Sequence, residues 1–156
     1  MSGTYRSGLQ ALYDGEVMGE RLLLALHAAA RTPRQARHFA AILQLETETK
    51  ARLRPLLLRQ GMSLAETADL GGVPGRVEDY RRLDWRAWTA ASAERLAPIV
   101  VRYTAIAALG PAADQSELAA VVAHEAALLR WAEMEAGGET EASLDAILAL
   151  LRFPPF

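Results

Sequence analysis

Apolar side chains recur along most of this chain at intervals of three and four residues, the spacing that places them on one face of an α-helix. No segment shows the alternation of apolar and polar residues that a half-buried strand requires. The first apolar series predicts a helix over residues 5–30. Its apolar positions are Leu9, Leu12, Tyr13, Leu23 and Leu24. The pattern as a whole predicts an all-α protein.

The second predicted helix has clear start and stop signals. Thr32 stands at the N-cap, Pro33 occupies the first helical position, and Gln35 completes a T-x-x-Q capping box. Gly61 is predicted to end this helix, whose span is therefore about 33–60. Because only two residues separate it from the first helix, the two are predicted to pack as an antiparallel hairpin.

The segment 61–83 interrupts the pattern, because its glycines and Pro74 prevent a long helix, although MSLAETADL could form a short one. Two further long helices are predicted, followed by a short one; their spans are about 84–109, 114–136 and 141–152. Two long hairpins joined by a long crossover are typical of the ferritin-like four-helix bundle. The whole chain, residues 1–156, is predicted to form this one domain, with the short fifth helix at its end.

Composition and charge exclude several classes of function. The chain is 51% hydrophobic and 23% charged, as in a folded globular protein, and its net charge of −2 argues against nucleic-acid binding. It has no cysteine, so thiolate metal sites and a cysteine nucleophile are excluded. The N-terminal MSGTYRSGLQ lacks the apolar core of a signal peptide, and no apolar run is long enough to span a membrane. We therefore expect a cytoplasmic protein without a membrane or nucleic-acid partner.

Three carboxylates interrupt the predicted apolar faces. Glu46 completes the apolar stripe of the second helix, Glu16 lies on the stripe of the first, and Glu125 lies on that of the fourth. Counted from the first predicted turn, Glu16 and Glu46 both lie about 15 residues, or ~22 Å, along their helices, so they should face each other. Glu125 lies about 13 residues past the second turn, at a similar depth. The three carboxylates are therefore predicted to meet in mid-bundle.

Buried carboxylates are costly unless they are paired or bind a metal ion. Oxygen ligands from facing helices suit iron or manganese, so the sequence predicts a metal site. The predicted ligands are Glu16, Glu46, Glu125, His124 and Glu20. His27, two turns beyond Glu20, is a further candidate. The sequence indicates no catalytic residue beyond this set.

Three segments resemble the di-iron domains of the rubrerythrin and ferritin-like superfamily: GEVMGE, LETETKARL and HEAALLRWAEMEAGG. The resemblance covers about residues 8–137. In that family each half supplies one Glu and then a Glu-x-x-His, so by position Glu16 would be the first Glu and Glu46 would open the first Glu-x-x-His. The resemblance implies bound metal and oxygen or peroxide chemistry, as in a metal-dependent oxidoreductase.

The family's motif is incomplete in this chain. Thr49 and Leu128 stand where the two motif histidines would be. On the third long helix, the positions level with Glu125 are Pro98 and Ile99, which carry no ligand. A standard six-ligand di-iron site cannot be built from these residues, so the sequence predicts a reduced or altered carboxylate site.

A second interpretation is a metal-free helical bundle that acts as an interaction or small-ligand-binding module. The carboxylates would then accept hydrogen bonds from Tyr103, Thr49 or an arginine. Additional apolar residues on the first helix, Leu22 and Leu26, indicate a second contact surface, against either the fifth helix or a homodimer partner. A small apolar pocket beside Pro98 is a third possibility. The sequence identifies no substrate for any of these.

Other polar side chains are interpreted as surface residues. His38 is predicted to be exposed to solvent. Glu46 with Lys50, and Glu48 with Arg52, stand four residues apart and could form ordinary ion pairs on a helix surface.

Overall fold

Residues 4–156, which the computed structural model describes, form six α-helices and no strand. Residues 1–3 of MSGTYRSGLQ, the N-terminal segment predicted not to be a signal peptide, lie outside this range. The helices are α1 (Tyr5–Ala28), α2 (Pro33–Arg59), α3 (Val73–Arg82), α4 (Trp85–Ala107), α5 (Gln115–Gly137) and α6 (Asp145–Leu150). The all-α prediction is confirmed. Within the described range, no helix has the length and apolar character needed to cross a membrane.

The four long helices begin and end close to where the sequence predicts. The hydroxyl of Thr32 accepts a hydrogen bond from the Gln35 N–H at 3.1 Å, and the carboxylate of Asp84 accepts one from the Ala87 N–H at 2.8 Å. Gly138 follows α5 with φ of 86°, the left-handed conformation that ends many helices. The predicted short fifth helix, 141–152, forms only between Asp145 and Leu150.

Helix α3 lies in the segment for which no such helix was predicted. The stretch 62–70, MSLAETADL, is not helical, and the helix instead covers VPGRVEDYRR. Pro74 stands in the first turn of α3, where its missing N–H would have no intrahelical partner in any case. Residues that break a helix interior are therefore tolerated at its start. Val77 and Tyr80, three residues apart, form the buried side of α3.

The long helices pack as two antiparallel pairs, α1 with α2 and α4 with α5. Contacts of α1 with α4 and of α2 with α5 join the pairs, while α6 packs on α5 and α2. Leu22 and Leu26 of α1 are buried. They share a hydrophobic cluster with Val77 and Tyr80. The second contact surface predicted for α1 therefore packs against α3 and not against the C-terminal helix.

Two hydrophobic clusters fill the interior, one above the other along the helices. The first surrounds Phe39, Trp88 and Trp131, and the second surrounds Leu53 and Leu118. On each long helix the residues of one cluster give way to those of the other near its middle. The candidate site lies at this boundary.

Tyr80 ties α3 to the turn between α1 and α2. Its side chain is completely buried. The hydroxyl donates a hydrogen bond to Gln35 Oε1 at 2.5 Å and accepts one from the Arg31 N–H at 3.0 Å. The Arg31 guanidinium also lies 4.4 Å from the centre of the Tyr80 ring.

The Tyr80→Phe variant should lower the free energy of unfolding by about 1–3 kcal/mol, because the buried Gln35 carbonyl loses its donor. Urea titration should show a lower midpoint with an unchanged slope. The exposed Arg81→Gln variant on the same helix should stay within about 0.5 kcal/mol of the parent. A Tyr80→Phe midpoint equal to the parent's would contradict the role assigned to this hydroxyl.

Candidate metal centre

Four side chains, Glu16, Glu46, His124 and Glu125, form what we call the polar layer, between the two hydrophobic clusters. They come from α1, α2 and α5. Glu16 and His124 have no exposed surface, and Glu46 and Glu125 are about 5% and 6% exposed. Each stands where the apolar stripe of its helix passes from one cluster to the other, so helix periodicity alone points all four inward.

His124 lies at the centre of the polar layer. Its Nδ1 is 3.3 Å from Glu16 Oε2, and its Nε2 is 3.6 Å from Glu46 Oε1. One potential ligand atom each from Glu16, His124 and Glu125 fall within 4.8 Å of one another. The structure thus brings together four of the five predicted ligands.

Two glycines of α1 make room for this arrangement. A Cβ atom at Gly19 would overlap the Glu46 carboxylate, and one at Gly15 would overlap the Tyr103 hydroxyl. Both positions therefore need glycine for a close approach rather than for a turn. Gly15 and Gly19 stand four residues apart on the helix face that carries Glu16, and this spacing is visible in the sequence. The contact at Gly15 shows that Tyr103 lies beside the polar layer.

The polar layer lacks the hydrogen bonds that normally accompany burial. Within the described part of the chain, neither oxygen of Glu16 and neither ring nitrogen of His124 has a hydrogen-bond partner. Buried polar atoms without partners are uncommon in native proteins and call for an explanation such as a bound ion.

A second buried carboxylate, Glu135 on α5, shows how this chain satisfies such a group. Arg34 donates two hydrogen bonds to it, at 3.0 and 2.5 Å, and Trp85 Nε1 donates a third at 2.6 Å. The Ser143 hydroxyl donates a fourth. This group could not be predicted from the sequence, because Arg34 and Trp85 lie far from it along the chain and no local spacing reveals them.

Burial dominates the electrostatics of the polar layer. It raises the pKa of Glu16 well above the usual range, against the opposing effect of His124. It also raises the pKa of Glu125, to about 7. Burial by itself would lower the pKa of His124, but the carboxylates of Glu16 and Glu46 outweigh it and raise that pKa. Without a bound cation, the polar layer therefore limits its charge by retaining protons.

Two predicted ligands lie elsewhere. Glu20 pairs with Lys50 Nζ at 2.9 Å and accepts a hydrogen bond from Thr47, so it points away from the polar layer. Gly19, not Glu20, faces the interior at this turn of α1. His27 is exposed near the end of α1. Neither Glu20 nor His27 contributes to the site.

The prediction that His38 is exposed is wrong. His38 is buried, and its Nδ1 accepts a hydrogen bond from Trp131 Nε1 at 2.9 Å. Burial, aided by the charges of Arg34 and Arg37, lowers its pKa to about 4, so the ring is neutral at pH 7. No spacing within α2 reveals this burial, because Trp131 lies on a different helix.

The predicted surface pairs also form differently. Lys50 pairs with Glu66 at 2.6 Å in addition to Glu20, which leaves Glu46 free of it. Arg52 pairs instead with Glu117 of α5 at 3.2 Å. The carboxylate of Glu48 accepts hydrogen bonds from the backbone N–H groups of residues 152 and 153. In each case a partner from another segment replaces the helical neighbour.

Comparison of the chain with models of protein families, with curated proteins and with solved structures found no match.

In metal-free buffer the free energy of unfolding should fall as the pH rises from about 4.5 to about 7, as far as Glu125 contributes. The pKa of this carboxyl is higher in the folded state than in the unfolded state. Its contribution to stability is therefore complete below pH 4.5 and is lost as the pH rises through about 7. Glu125→Gln should remove up to about 3 kcal/mol of this dependence.

Urea titrations of the parent and of Glu125→Gln at several pH values would measure this difference. The Glu133→Gln variant, which changes an exposed carboxyl on the same helix, is the control and should keep the parent's pH dependence. If Glu125→Gln and the parent gave parallel curves, the ionisation assigned to Glu125 would be wrong.

Proposed function

We propose that this protein binds one divalent iron or manganese ion in the polar layer and is a metal-dependent oxidoreductase. The ligands are the carboxylates of Glu16, Glu46 and Glu125 and the imidazole of His124. The observation that carries the proposal is the complete burial of Glu16 and His124 without a hydrogen bond in the described structure. A cation at their centre would give these atoms partners and would offset the carboxylate charge.

The donor set fits such an ion. Carboxylate oxygens with an imidazole nitrogen suit manganese and divalent iron, and sites of this kind form in bundle cores from side chains on facing helices. A single ion is proposed rather than a pair. Thr49 and Leu128 stand in place of the motif histidines, and Ile99 supplies no ligand from α4.

The helix order supports a ferritin-like four-helix bundle as the scaffold. Helices α1 and α2 form one antiparallel pair and α4 and α5 the other, and a long connection containing α3 runs between them. This order agrees with the arrangement of one long crossover between the second and third bundle helices. We also propose a cytoplasmic location and a homodimeric assembly.

A bound iron or manganese ion with open coordination positions would supply oxygen or peroxide chemistry. The residues of this chain would hold the ion, exclude water and provide a hydrogen-bond donor. Leu128 and Ile99 provide apolar surface beside Glu46 and Glu125. Burial and the neighbouring carboxylates raise the pKa of Tyr103 above its usual value, so its hydroxyl stays protonated and can donate a hydrogen bond beside the site.

A second candidate function is a metal-free interaction or ligand-binding module. The position of His124 favours it, since a protonated imidazole between Glu16 and Glu46 would itself be the compensating cation. Under this alternative the polar layer is purely structural. Replacing its members with apolar residues of similar size would then leave stability unchanged or improved.

Metal content separates the two functions. Protein expressed with added iron and manganese should contain about one ion per chain by plasma mass spectrometry. The Glu16→Gln/Glu46→Gln variant should contain almost none, because two anionic ligands become neutral amides of the same shape. The Glu20→Gln variant is the matched control, since it alters a carboxylate of α1 outside the polar layer, and it should retain the parent's content.

Thermal unfolding provides the control for folding. Added metal should raise the melting temperature of the parent and of Glu20→Gln, but not that of the double variant. A parent that is empty of metal, folded, and unaffected by added iron or manganese would rule out the proposed site and favour the metal-free module.

A further inference from the structure

An apolar cavity of about 120 Å³ adjoins the polar layer. Glu46 and Glu125 line one part of it together with Tyr103, and most of the remaining wall is apolar. The apolar lining includes Met18, Leu22, Leu96, Ile99, Leu128 and Trp131. Ile99 follows Pro98, and a small apolar pocket beside Pro98 is the third interpretation of the sequence given above.

Two arginines also line this cavity, Arg76 from α3 and Arg95 from α4. Both are partly exposed, whereas Glu46, Glu125 and Tyr103 are buried, so the arginines lie nearer to solvent than the polar layer does. The two guanidinium groups belong to the wall of one cavity, and burial together with the charge of Arg95 lowers the pKa of Arg76.

Neither arginine has an anionic partner among residues 4–156. The side chain of Arg95 makes only a long contact, 3.5 Å, with the Ser92 hydroxyl, and that of Arg76 donates no hydrogen bond. Two neighbouring guanidinium groups that repel each other would both gain from an anion placed between them.

The cavity wall contains one more donor without a partner. Trp88 is buried, and its indole N–H has no hydrogen-bond partner in the described structure. The other two tryptophans are satisfied, because Trp85 donates to Glu135 and Trp131 donates to His38. Away from the polar layer, Arg76, Arg95 and Trp88 thus give the cavity wall two cations and one neutral donor without a partner in the described structure, all suited to an acceptor.

We propose that this cavity binds a small organic anion whose carboxylate or phosphate group is held between Arg76 and Arg95 and whose apolar body fills the cavity. The arginines fix this orientation, because they are the cationic groups of the cavity wall, whereas Glu46 and Glu125 offer an anionic group no positive charge. An apolar cavity of ~150 Å³ accommodates the six carbons of benzene, so the smaller cavity of about 120 Å³ fits a body of about five carbons, the length of the chain of hexanoate beyond its carboxylate.

This orientation places the apolar end of the ligand beside Glu46 and Glu125. The assignment of the ligand as the substrate rests on the proposed metal function, since only a bound ion would act on that end. Binding itself does not depend on the metal. The two proposals can therefore fail separately.

Hexanoate is the probe for this site, and isothermal titration calorimetry is the measurement, with metal-free and metal-loaded protein. The Arg76→Gln/Arg95→Gln variant should bind hexanoate at least about tenfold more weakly than the parent, because the paired charge is removed. The Arg81→Gln/Arg82→Gln variant makes the same change in charge on α3 outside the cavity, and it should bind within about twofold of the parent.

Three related probes test the chemistry of the anionic group. Hexan-1-ol and hexylamine should bind much more weakly than hexanoate, and hexyl phosphate should bind comparably or more tightly. Tighter binding of hexyl phosphate would identify a phosphate as the preferred group. Equal binding of hexan-1-ol and hexanoate would overturn the role of the arginines.

The Leu96→Phe variant tests the cavity itself, because it reduces the space and keeps both arginines. It should weaken hexanoate binding about tenfold or more while the parent's helical circular dichroism is retained. The proposal is overturned if hexanoate fails to bind the folded parent, or if neither Leu96→Phe nor the double arginine variant weakens its binding. Hexanoate binding by a parent that takes up no metal would uphold the ligand site and reject only the metal function.

Discussion

The free-energy cost of removing a carboxylate from water is the main constraint on this structure. Three buried acidic groups meet it in different ways. Asp114 is paired with Arg59 and accepts a hydrogen bond from Tyr5, and Glu135 accepts hydrogen bonds from four donor groups. Glu16 has no hydrogen bond in the described structure, and its charged neighbour is His124, whose Nδ1 lies 3.3 Å from Glu16 Oε2. The chain surrounds two buried acids with an arginine and further donors but gives Glu16 only this contact with a histidine, and the proposal of a cation in the polar layer answers that difference.

The polar layer also determines how the interior is divided. Because four ionisable side chains cross the helices at one depth, the apolar residues separate into two clusters instead of one continuous core. Gly15 and Gly19 let α1 approach the layer closely enough to accommodate Tyr103 and Glu46. The apolar cavity lies along one side of the same layer, so a molecule that enters it comes into contact with the ionisable groups without passing through packed side chains.

Helix periodicity was sufficient to predict the four long helices and the burial of Glu16, Glu46 and Glu125, since each follows from spacing within one segment. It could not decide between Gly19 and Glu20, because a small rotation of α1 exchanges them. It also missed the burial of His38, which depends on a tryptophan of another helix. Helix α3 was missed because its proline and glycine are typical of helix breaks, although both are tolerated in a first turn. The arginine pair Arg76 and Arg95 is formed by α3 and α4 together, so no pattern within either segment could reveal it.

The polar layer draws its members from both helix pairs, Glu16 and Glu46 from one and His124 and Glu125 from the other. Each pair is built from contacts between neighbouring segments, which form early in folding, whereas the layer is complete only after the pairs have docked. An ion held there would therefore bind the docked state alone. Its concentration in the cell would then set what fraction of the molecules is fully assembled, and the protein's abundance would follow the supply of that metal.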